Sequence, residues 1–232
     1  MTDFSKRLLE QVSKNDSGEL LKDYLSDDVI DSREPRSGRL FEKFQASERK
    51  PNEITPSDLL AVSQLSMKIG GYQEGDSIPD SAVIKLFNKE LQKRVSKSLA
   101  KIKTNWRLET ISPRDLKVFN DEISKLWPIL RDEVGLKKVA TFKLLARKRP
   151  HMCPIRDSFA ERALGKPKNW YASWQDAFNQ ERKVVSKLKT LRDGNSGAKH
   201  ISLLRVADII IWERQKQKDE SNNSSKPRSR VG

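Results

Sequence analysis

One cysteine, Cys153, stands in a chain of 232 residues. That excludes an intramolecular disulfide, and it excludes a cysteine-ligated iron–sulfur cluster or a zinc finger built within one chain. Histidine is as scarce, with only His151 and His200, so the composition points to no metal site and no cofactor. Long apolar runs are missing too. The run from Ala207 to Trp212 is interrupted by Asp208 and falls far short of the ~20 residues that cross a bilayer. The opening MTDFSKRLLEQVSK is charged within a few residues, unlike a signal peptide. These absences predict a cytoplasmic protein with no membrane partner. No stretch alternates convincingly as a strand and no repeat is evident, so the expected fold class is all-α.

What the chain has is positive charge. Lys and Arg number 46 against 32 Asp and Glu, a net charge of +14 and a pI near 9.8. Such a balance favours polyanions, although a basic surface also serves solubility alone. Hydrophobic residues make up 35%, enough for a core in a chain of this length.

Apolar spacing predicts helices over 4–12 and 19–30, then a mainly extended connector to residue 53 with Leu40, Phe41 and Phe44 docked on a core. Thr55-Pro56-Ser57-Asp58 marks a helix start, with Thr55 as N-cap; the helix is expected to run to Gly70-Gly71 and, apolar over most of its girth, to be central and buried. A long helix follows over 82–104. Its outer face carries Lys85, Lys89, Lys93, Arg94, Lys97, Lys101 and Lys103 against one acid, Glu90. Ser112-Pro113 begins another helix, which Pro128 kinks or ends. Trp170, Trp174 and Phe178 share one helical face and read as core, in a helix expected to run basic through Lys187 and Lys189. Ser202 to Gln215 is a largely apolar helix in which Asp208 is expected to pair with a basic residue. The organisation is N-terminal helices and connector (1–53), a helical core (54–215) and a disordered basic tail (216–232).

The stretch from Val134 to Gly165 concentrates the chemistry. No acid occurs between Val134 and Ile155, where six residues are Lys or Arg. A turn at Gly135 after the helix ending near Leu130, followed by an apolar helix, forms a helix-hairpin-helix-like segment over 122–165. Such a turn brings backbone N–H groups and a helix N-terminus to a phosphate. Gly135, Lys137, Lys138, Lys143, Arg147, Lys148 and Arg149 are the candidate phosphate contacts, with Lys137, Lys138 and Lys143 facing outward. Arg147 to Arg149 also suit a plain helix C-terminus. Asp157 opens the next helix after Pro150 and Pro154, either as its cap or as a general base in a cleft.

The order of Gly135, an Ala-bearing apolar helix, Pro154-Ile155-Arg156-Asp157 and a helix ending Ala163-Leu164-Gly165 resembles the helix-hairpin-helix DNA glycosylase superfamily. That resemblance implies a catalytic role for Asp157, with Lys137 or Lys138 near the position of a Schiff-base lysine. The chain departs from the superfamily pattern at Glu133-Val134-Gly135, which lacks the first hairpin glycine, and it lacks the cluster cysteines of one branch. Three other segments, DLLAVSQLS (58–66), KLLARKRPHMCPIRDS (143–158) and ISLLRVADIIIWER (201–214), are similar to a family of small, mainly actinobacterial proteins without an established activity. The leading functional expectation is nucleic-acid binding, DNA foremost, in an unassigned role. The alternatives are a base-directed, glycosylase-like enzyme using Asp157, and a helical interaction protein of a defence or mobile-element system.

Overall fold

A computed structural model describes residues 1–30, 34–44, 50–70 and 77–224. Parts of the expected connector (31–33 and 45–49), the loop 71–76 that includes Gly71, and the last eight residues of the expected tail lie outside the described residues.

The chain is all-α. In order come α1 (Asp3–Ser13), α2 (Ser17–Leu25), a 3₁₀ turn (Ser37–Leu40), α3 (Pro56–Ser63), α4 (Asp80–Leu86), α5 (Lys89–Lys101), α6 (Pro113–Pro128), α7 (Lys138–Lys148), α8 (Ser158–Leu164), α9 (Trp170–Gln180), α10 (Arg182–Asp193) and α11 (Leu203–Ser224). Strands β1 (Lys68–Ile69) and β2 (Ser77–Ile78) form a short parallel pair. Among the described residues, no helix is long and apolar enough to cross a membrane.

Local chemistry explains most of the boundaries. At α3 the Thr55 side chain accepts from the Asp58 amide while the Asp58 carboxylate accepts from the Thr55 amide, a closed capping box. Ser112 caps α6 ahead of Pro113. Pro128 has no N–H to continue the α ladder, and the chain widens into one π turn, Ile129–Glu133, in which Val134 N–H reaches back to Ile129. The turn then closes at Gly135, whose φ of +88° suits glycine alone among common residues.

α11 is the axis. Its 22 residues span about 33 Å, and it packs against α1, α2, α8 and α10. Leu203, Val206, Ala207, Ile209, Ile210 and Ile211 are all buried, each large one contributing about 1.5–3 kcal/mol. α1 covers α8, α9 and α10, where Phe4 meets Trp170 and Trp174 edge-on at 5.5 Å. α5 lies on α6, and α3 on α7.

Four expectations are corrected. The helix at Thr55 stops at Ser63, and the chain turns at Ser66, a non-glycine residue at φ +59°, before entering β1; Leu60 is 47% exposed, so the helix is not buried all round. The long helix over 82–104 breaks at Asn88, whose side chain caps α5 by accepting from Glu90 and Leu91 amides. The basic run through Lys187 is a separate helix, α10, entered through Glu181. Residues 216–224 continue α11, with Arg162 bound to Asp219 at 2.7 Å and Lys216 near Glu220.

Candidate functional site

Three elements meet around Arg205, in the first turn of α11. Its guanidinium lies over the Tyr24 and Phe41 rings at 5.3 and 5.4 Å. It donates to the Tyr24 hydroxyl at 2.8 Å and the Gly38 carbonyl at 3.0 Å, and it pairs with Glu42 at 3.0 Å and with Asp208. Burial opposes the charge, but Tyr24, Glu42 and Asp208 outweigh it and hold the Arg205 pKa above its usual value. Burial likewise pushes the Tyr24 hydroxyl up to about 12. Gly38 is needed for this approach, because a Cβ there would stand 1.9 Å from the Tyr24 hydroxyl oxygen.

Above this cluster opens a cavity of about 330 Å³, within the range of small-molecule sites. Asp157 and Asp208 line it together with Lys143, Ser66 and Trp212. Asp157 caps α8, with Oδ1 accepting from the Ala160 amide at 2.9 Å. Lys143 crosses the wall to the Leu65 carbonyl at 2.8 Å. Burial, and then the neighbouring Asp157 charge, raise the Asp208 pKa to about 6 against the pull of Arg205 and Lys143. Trp212 is half-buried at the mouth, with Arg36 and Lys216 over its ring at 5.7 and 5.1 Å. The left-handed backbone at Ser66 stores about 1–2 kcal/mol of strain in the same wall.

Of the residues singled out from sequence, the fold brings Asp157 and Lys143 together. Lys143 is 5% exposed and faces the cavity, not solvent as expected, because the second turn of α7 packs under the chain leaving α3. Gly135, Lys137 and Lys138 form a second locus. Gly135 is exposed and the two lysines are half-buried. Lys138 reaches Glu161 on α8 at 2.6 Å, and Glu161 also binds Arg156 at 2.6 Å. This ion relay ties the start of α7 to the residue beside Asp157. Lys137 precedes α7 without capping it through its side chain.

The basic triplet is a correction. Arg147, Lys148 and Arg149 are all 5% exposed or less and do not present a phosphate surface. Arg147 donates to the carbonyls of Phe41, Glu42 and Phe44 and pairs with Asp58. Lys148 binds Asp58 at 2.5 Å and the Lys50 carbonyl at 2.9 Å. Arg149 donates to the carbonyls of Leu99, Ile102 and Pro51 and to the Asn52 side chain, so it closes the negative end of α5. Burial lowers the pKa of both Lys148 and Arg149. Three consecutive cations clamp three separate segments onto α7.

The remaining sulfur and metal chemistry is limited. Cys153 is 1% exposed and burial pushes its thiol up to about 12, so little thiolate forms near neutrality. Among the described residues, no three His, Cys, Asp or Glu side chains converge to hold a metal ion. Sequence reasoning passed over Arg205, Tyr24 and Trp212 as site residues. A signal for the first was present, since Arg205 and Asp208 stand three apart in an otherwise apolar helix; Tyr24 joins them only through tertiary contact.

No curated protein and no solved structure matches the chain. A family model does, over residues 17–215, which takes in every residue of the cavity named above except Lys216. The chain belongs to that family, DUF6308, a family of unknown function.

Proposed function

We propose that this chain binds nucleic acid, with DNA the first candidate, by gripping phosphates at the Gly135–Lys138 hairpin and along the outer face of α5. The observation that carries this reading is the fork between Arg94 on α5 and Glu133, two residues before Gly135. Both guanidinium nitrogens engage the carboxylate, at 2.5 and 2.7 Å. This sets the exposed Lys89, Lys93 and Lys97 beside the hairpin, so two basic features distant in sequence adjoin in space. The first turn of α7 adds N–H groups and a positive helix end. With Arg147, Lys148 and Arg149 turned inward, the exposed lysines of α5 supply the cationic surface next to the hairpin.

Each phosphate neutralised on duplex DNA contributes about −0.9 to the slope of log K against log salt. Changing Lys89, Lys93 and Lys97 together to Gln should flatten that slope by about two to three and weaken binding similarly across sequences. Wild-type protein that binds neither DNA nor RNA, or whose affinity ignores salt, would overturn the reading.

A second reading, a base-directed enzyme, draws support from the cavity. It offers a half-buried indole for stacking, two carboxylates and a lysine in a space fitting an extruded nucleobase. Asp208, its pKa raised to about 6 chiefly by burial, is suited to hold a proton. Asn also caps helices, so Asp157→Asn keeps α8 intact while removing the carboxylate. Base release by wild type that disappears in this variant, with binding retained, would establish the enzyme; unchanged release would remove Asp157 from the chemistry.

A further inference from the structure

The loops after α5 and α7 meet the end of α10 and the approach to α11 at an open cleft of about 550 Å³. None of the sites above uses it. Its walls carry Arg107, His151, Lys189, Arg192, Lys199 and His200, so the fold gathers both histidines of the chain and four further basic side chains into one concavity. The Leu108 amide donates to the His151 carbonyl at 3.1 Å and fixes the two loops together.

The charges here are poorly balanced. Glu109 is the acid in the wall, and Asp193 holds Arg192 at 2.9 Å from an exposed position. Arg107 points a guanidinium N–H at the His151 ring, 2.9 Å from Nδ1. A guanidinium has no acceptor, so the imidazole accepts and is neutral. Burial, then Arg107 and Arg192, push the His151 pKa down to about 4. A cation bonded to a neutral ring with other cations around it is relieved by an anion. Two guanidinium forks suit the oxygens of a tetrahedral oxyanion, and four permanent cations suit a multiply charged one.

We propose that this cleft binds a phosphoryl group, held by Arg107, Arg192, Lys189 and Lys199 with His200 at the rim. The proposal is independent of the hairpin reading. The phosphoryl group comes either from a small phosphorylated molecule or from a nucleic-acid backbone.

The test follows the two imidazoles by NMR in the full chain, during titration with inorganic pyrophosphate at ionic strength held constant with sodium chloride. Saturable shifts at both His151 and His200 are expected, with the His151 titration moving to higher pH as the anion accumulates. Changing Lys189 and Lys199, both exposed, to Gln should raise the pyrophosphate Kd about tenfold. Shifts reproduced by sodium chloride alone, or a Kd unchanged in the double variant, would overturn the proposal. A short oligonucleotide added to the saturated protein identifies the source. Displacement of pyrophosphate from the imidazoles assigns the backbone, and persistence assigns a small phosphorylated molecule.

Discussion

Arg147 near the end of α7 and Lys137 just before its start illustrate opposite uses of charge. Arg147 is fully inside, shared among three carbonyls and Asp58. Arg147→Met should cost about 3–5 kcal/mol, because it leaves a buried carboxylate short of a partner and several acceptors unmade; urea unfolding measures it. Lys137→Gln, at a half-buried edge, should change stability by only about 0.5 kcal/mol while weakening the proposed nucleic-acid binding. Asp157 discriminates its own roles in the same way. Asp157→Ala should lose about 1 kcal/mol with the cap, and Asp157→Asn only a few tenths.

Among the elements, the capped starts were the most legible. Thr55 with Asp58, Ser112 with Pro113, and Asp157 each declare themselves within four residues, because capping is local chemistry. The break at Asn88 was hidden because the apolar stripe continues across it in sequence. The burial of Arg149 could not be read at all. Its acceptors are mainly backbone carbonyls some 50 and 98 residues away, and a carbonyl leaves no mark on residue type. The cavity was half legible for the same reason: Asp157 stood out by its place in a loop, whereas Tyr24 comes to Arg205 across 181 residues. The turn at Gly135 offers a clean check on backbone conformation. A Cβ at Gly135 would meet nothing within 4 Å, so Gly135→Ala should cost about 1–2 kcal/mol from the left-handed backbone alone. Gly38→Ala combines a direct clash with loss of the Tyr24 approach, and it should be the more damaging of the two.

For the whole molecule, two partly buried groups give stability opposite slopes with pH. Folded His151 holds its pKa near 4, below the ordinary 6.5. Between those values the unfolded chain binds a proton that the folded chain refuses, so this contribution is full above 6.5 and lost as pH falls through about 4. Folded Asp208 holds its pKa near 6, above the ordinary 3.8. The folded chain then keeps a proton that the unfolded chain releases, so this contribution is present below 3.8 and lost as pH rises through about 6. The slopes oppose each other across most of this range. His151→Gln removes only the first, so the urea midpoint of wild type should gain on that variant between about pH 4.5 and 6.5. An unchanged gap between them would place His151 outside the linkage.

The clamp on α7 has a further consequence for proteolysis. Ala-Arg-Lys-Arg-Pro at 146–150 is a conspicuous tryptic target in the linear sequence, with the Arg147–Lys148 and Lys148–Arg149 bonds both of the cleavable type. In the folded chain these side chains are anchored to residues 41–44, 50–58 and 99–102 at once. A protease must wait until all of those attachments let go, which amounts to opening the core. Cutting at Lys148 therefore reports global unfolding, whereas cutting at the exposed lysines of α5 reports local fraying. Trypsin becomes a two-channel reporter of this molecule, and a ligand that tightens the core should silence the first channel far more than the second.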